Sequence, residues 1–193
     1  LIDDGRDADK LAFRRDAHEY RNLLMTEQPN EDYAVTMGRQ FFFDVYHYFT
    51  LKSLTESSDE RIAGIAAKAL KEVTYHLRRS SEWVKRFGDG TEESHRRMQD
   101  AVDLLWRFTG ELIQPDEVDQ QIAKAGIGPD PEQLRDDWRG MVKAVLQEAT
   151  LTPQPDDAWM YLGGKRGEHT EHLGFILAEM QFLQRAYPDA KVW

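Results

Sequence analysis

The chain has 193 residues, 40% hydrophobic and 11% aromatic, a composition that supports one buried core and excludes a disordered chain. Its net charge of −10 argues against a nucleic-acid backbone or an anionic membrane surface as partner, and no apolar run approaches the length of a membrane span. With no cysteine, disulfides, thiolate catalysis and cysteine-ligated metals are excluded, and the cytoplasm is the expected location.

The opening LIDDGRDADK has no initiator Met and reads like a loop entered midway, so residues 1–15 are predicted to be a connector. Asp16–Met25 predicts a short helix ending before Gln28-Pro29. Asn30 is the expected cap of a helix from about Glu31 to Leu54. Its apolar residues, among them Tyr33, Met37, Phe41–Phe43, Val45, Tyr46, Tyr48, Phe49 and Leu51, surround the axis, which predicts burial on every side. Asp44 and His47 sit inside this aromatic wall at i, i+3 spacing.

A short polar turn at Glu56–Ser58 leads into the segment Asp59–Phe87, so the two helices should be antiparallel neighbours in a bundle. At 100° per residue Ile62, Ile65, Ala66, Ala69, Leu70, Val73, Leu77, Trp83, Val84 and Phe87 share one side, with Ser58 as the expected cap and Gly88 and Gly90 as the stop. His76 lies inside that stripe and Glu72 on its edge. Buried, they need partners, which predicts a polar seam facing another helix.

Thr91 is the expected cap of a helix reaching about Ile113. Pro115 opens a short acidic helix, and Asp130-Pro131 opens another with the stripe Leu134, Trp138, Met141, Val142, Val145 and Leu146. Residues 150–167 read as a long proline- and glycine-punctuated loop. A last helix is predicted from about Glu168 to Tyr187, with His169, Leu173, Ile176, Leu177, Met180 and Leu183 inward. No segment reads as a strand or a repeat, so the predicted class is all-α, one domain over 1–193.

Facing histidines and carboxylates are what a di-iron bundle uses, with Glu-x-x-His placing both groups on one helix face. Asp44 and His47 have that spacing, but the residue three before His76 is Val73, and Glu72 lies at i−4. Asp44, His47, Glu72 and His76 are therefore candidates for a vestigial metal set, read as a hydrogen-bonded seam rather than a working site. His169 and His172 are spaced like ligands, yet fit buried histidines at a capped helix start. Lys165 and Arg166, between glycines, could dock a partner or an anion, although the P-loop spacing is absent. No catalytic constellation is complete.

The strings KALKEVTYHLRRS (68–80) and GGKRGEHTEHLGFILAEMQFLQR (163–185), with residues 22–49 and 98–113, resemble one family. It is that of the C subunits of the bacterial phenylacetyl-CoA 1,2-epoxidase, a multicomponent oxygenase of phenylacetate catabolism. The resemblance runs from about Leu11 to the C-terminus. It implies a ferritin-like bundle whose first two helices lie upstream of Leu1, and a homologous A subunit as partner that carries the di-iron centre and binds the acyl-CoA. In that relative the segment matching Lys71–Arg78 holds a true Glu-x-x-His, whereas here the Glu position is Val73.

The expected role is thus a non-catalytic structural subunit of a hetero-oligomer, without a cofactor of its own. The alternative expectation is a ferritin-like metalloprotein with its own di-iron site. Neither reading involves nucleic acid or membrane.

Overall fold

The computed structural model describes residues 7–155 and 157–190. Among them the regular elements are all helical, as the periodicity predicts. In order they are α1 (Ala8–Phe13), α2 (Tyr33–Leu54), α3 (Glu60–Gly88), α4 (Glu92–Trp106), α5 (Gly110–Ile113), α6 (Glu117–Lys124), α7 (Pro131–Glu148) and α8 (Glu171–Ala186). No helix among these residues is long and apolar enough to cross a membrane. The described chain forms two compact units, one from Asn30 to Tyr161 and one from the segments before and after it.

The larger unit is a bundle in which α2 packs on α3, α4 and α7. From Ala34 to Leu51 no residue of α2 is exposed, which is why its apolar side chains surround the axis. Phe42, Trp106 and Trp138 meet with ring centroids 5.9–6.1 Å apart, and the Trp138 indole N–H donates to the Phe42 carbonyl at 3.0 Å. That bond lets a polar ring sit in the core without an orphaned donor.

Several sequence expectations shift here. The cap of α2 is Asp32, not Asn30, and accepts from the Val35 amide at 2.9 Å. The cap of α3 is Asp59, not Ser58, and takes the Arg61 and Ile62 amides at 2.9 and 3.3 Å. The Ser58 hydroxyl is spent on the Ala125 carbonyl instead. The helix expected to reach Ile113 stops at Trp106, because Phe108 and Thr109 tighten the chain into i→i+3 bonds and the buried Thr109 hydroxyl takes the Trp106 carbonyl at 2.8 Å.

In the smaller unit the predicted connector contains α1, capped by Asp7. The helix predicted over Asp16–Met25 is absent. Asp16 opens a single 3-10 turn, Ala17–Glu19, the chain then extends, and a second turn follows at Leu24–Glu27. The last helix starts at Glu171 rather than Glu168, because Thr170 is its extended N-cap residue. Of its predicted inward stripe Leu173 and Leu177 are buried, whereas Ile176, Met180 and Leu183 are exposed.

Candidate functional site

A polar seam does join α2 and α3, through different residues from those predicted. The buried face of α3 runs through Val73, Leu77, Ser80, Ser81 and Val84, a helical spacing that carries Ser80 inward. There its hydroxyl donates to Asp44 Oδ2 at 2.8 Å, and the Gln40 amide donates to Asp44 Oδ1 at 2.6 Å. Both Asp44 and Ser80 are buried. Burial pushes the Asp44 carboxyl above its usual 3.8, against the pull of these two bonds and of His76 and His47. Burial likewise pushes the His47 imidazole below its usual 6.5, opposed by Asp44 and aided by His76.

His76 is not in the core. Its side chain is 45% exposed, that of Glu72 is 77% exposed, and the two approach only to 3.8 Å on the outer surface of α3. The reason is one of angle: Val73 and Leu77 define the centre of the buried face, and His76 lies off it beside Tyr75. Val73 is 4% exposed and packs with Leu51 and Ala66, with Tyr48, Leu54, Ala69 and Leu70 around them. The four sequence candidates therefore divide, with Asp44 buried, His47 half-buried against Phe43, and Glu72 and His76 outward. Among the described residues no group of three or more His, Asp or Glu is placed to hold a metal ion.

A second buried polar cluster lies in the smaller unit, and sequence reasoning missed its centre, Glu27. One carboxylate oxygen accepts from His169 Nδ1 at 2.6 Å and from Asn22 at 2.7 Å. The other accepts from the Thr170 amide at 2.8 Å and its hydroxyl at 2.7 Å. His169 Nε2 meets the Tyr20 carbonyl at 3.2 Å. Burial raises the Glu27 carboxyl, but the bonds from Thr170, Asn22 and His169 together hold it below its usual 4.5. Nothing in the sequence near Glu27 announces this, since His169 and Thr170 lie in the other segment of the unit.

His169 and His172 thus take separate parts. His169 is buried against Glu27, while His172 stands on the first turn of α8 beside Phe175. Lys165 and Arg166 lie in a 3-10 turn, Gly164–Arg166. The amides of Arg166, Gly167 and Glu168 are spent on the carbonyls of Gly163 and Gly164, so they do not form an open anion nest. Gly167 has φ of 89°, and a Cβ there would overlap the His18 carbonyl. Arg166 is exposed and 3.9 Å from Glu168.

Comparison with known proteins agrees with this architecture. The family described as "Phenylacetic acid catabolic protein" matches residues 1–193. The C subunit of the 1,2-phenylacetyl-CoA epoxidase of Escherichia coli (strain K12) is 49% identical over 182 residues, which are 94% of this chain and 73% of that relative. With an all-helical bundle and a match along its whole length, the chain belongs to the phenylacetic acid catabolic protein family, a ferritin-like family.

Proposed function

We propose that the chain is a non-catalytic structural subunit of a phenylacetyl-CoA epoxidase, pairing with and stabilising a homologous A subunit that carries the di-iron centre. The carrying observation is Val73: the position where Glu-x-x-His would need its carboxylate holds a buried valine in an apolar cluster, and His76 faces out. Asp44, the one buried carboxylate nearby, accepts from Ser80 and Gln40. These residues do not fit a di-iron set, so no catalytic step is assigned to them. The name of the E. coli relative, the C subunit of an epoxidase, supports a place in such a complex.

The test is elemental analysis and turnover on the full-length protein, alone and with its A partner. The expected result is no stoichiometric metal in the isolated protein and epoxidation of phenylacetyl-CoA only by the pair. Stoichiometric iron that disappears in His76→Ala would favour the metalloprotein alternative, and so would turnover with a reductase but no A subunit.

A further inference from the structure

Helix α8 buries one narrow side in the smaller unit, through Leu173, Leu177 and Gln181, where it packs on α1 and the first 3-10 turn. Its opposite side is also apolar, and that side faces water. Phe175 and Phe182 are 63% and 65% exposed, and Ile176, Met180, Leu183 and Tyr187 are exposed as well. At 100° per residue Phe175 and Phe182 form one row and Ile176 and Leu183 a second, with Met180 and Tyr187 beyond it. These six side chains put on the order of 500 Å² of apolar surface in water, comparable with the largest patch on a typical monomer. A standard interface buries about 800 Å² on each partner, so this face could supply a large part of one side. A groove of about 580 Å³ borders the first row, lined by Gly174, Ala178 and Phe182 of α8 and by Asp16 and Ala17 of the facing turn. The surface is therefore ridged rather than flat, as helix packing requires.

Charge selects the occupant. From Gly174 to Tyr187 the exposed charged residues are Glu179 and Arg185. Arg185 is held by Asp16 and by the Arg15 carbonyl, each at 2.8 Å. Glu179 stands between the two apolar rows at the middle of the helix, and nothing among the described residues pairs with it. A second copy seated here by a two-fold axis would bring Glu179 against Glu179, whether the helices ran parallel or antiparallel. Each chain also carries a net charge of −10, so like charges oppose self-pairing at the contact and at long range.

We propose that this face of α8 docks an amphipathic helix of a different protein, with an apolar i, i+4, i+7 stripe and a Lys or Arg opposite Glu179. The stripe lies along the two rows, and the cation pairs with Glu179 in the seam between them. The inference deepens the proposed structural role and rests on it, because the A subunit is the neighbour that role requires.

The experiment is binding of the full-length protein to the A subunit, measured by surface kinetics, with sedimentation of each protein alone. Phe182→Ser with Leu183→Ser should weaken binding at least about thirtyfold. Glu179→Lys should weaken it about tenfold, and Glu179→Gln less, with a shallower salt dependence than the parent. Because these side chains are exposed, circular dichroism and thermal unfolding of the isolated variants should match the parent. Parent-like affinity in the double serine variant or in Glu179→Lys would overturn the proposal and leave the structural role standing. Loss of stability in the isolated double variant would overturn it too, by showing that the chain itself covers the face. Self-association of the parent that the double variant abolishes would do the same, by making the occupant a second copy. Failure of the parent itself to bind the A subunit would remove the structural role, and the inference with it.

Discussion

Asp44 and Glu27 are both buried carboxylates, yet they respond to pH with opposite sign. Burial dominates at Asp44 and holds its folded-state carboxyl above 3.8. The folded chain then binds that proton more tightly than the unfolded chain, so the contribution of Asp44 to stability falls as pH rises from 3.8 through the folded value. Asp44→Asn should flatten that part of a stability-versus-pH curve measured by urea unfolding. Ser80→Ala, which removes one of two donors from the carboxylate, should destabilise the fold by about 1–3 kcal/mol at pH 7. At Glu27 the hydrogen bonds win over burial and hold the carboxyl below 4.5. Its contribution is present above 4.5 and is lost as pH falls through the folded value. Glu27→Gln should therefore cost stability at pH 7, by about 1.5–3 kcal/mol for loss of charge-assisted bonds, and should remove the acid-side loss. A parent-like curve for Glu27→Gln would show that the cluster does not carry the smaller unit.

At the scale of elements, α3 shows how position around the helix axis separates packing from chemistry. Its buried line through Val73, Leu77, Ser80 and Val84 leaves His76 on the outside although the sequence reads as if it were within. Val73→Glu would rebuild the Glu-x-x-His spacing on paper. In this fold it inserts a carboxylate beside Leu51 and Ala66 with no partner, so a loss of at least about 2 kcal/mol is expected from denaturant unfolding. Because His76 faces solvent, the variant should also bind no iron. Iron uptake by Val73→Glu without loss of stability would show that α3 can turn to present both groups inward. The break between α4 and α5 carries a related lesson: the apolar periodicity continues to Ile113, but a buried Thr109 hydroxyl captures the Trp106 carbonyl and ends the helix.

For the whole molecule, the proposed role places function in contacts between chains. The turn holding Lys165 and Arg166 is braced by its own backbone bonds and supplies positive charge to an acidic protein. If it docks a partner, Lys165→Glu with Arg166→Glu should slow association with the A subunit in a salt-dependent way, read by surface binding kinetics at two ionic strengths. An intact complex with a raised KM for the acyl-CoA would instead assign the turn to substrate. Parent-like assembly and turnover would leave it a connector.

The sequence by itself determined the helical class, the stripe of α7, the centre of that of α3 though not Ile65, which is exposed, and the valine at position 73, because helical periodicity and side-chain identity are local properties. The family, too, was legible in long contiguous strings such as residues 68–80 and 163–185. Ser80 was within reach of the same periodicity, seven residues beyond Val73, but serine carries no apolar signal. Only the tertiary structure decided which polar groups are buried. Glu27 acquires two of its partners, His169 and Thr170, from far away in the chain. His76 leaves the core because neighbouring side chains fix the rotation of α3 about its axis, and a stripe wide enough to include it was narrower once packed. Periodicity gives a face to within a residue or two, whereas burial of a polar group depends on the one atom that arrives to meet it.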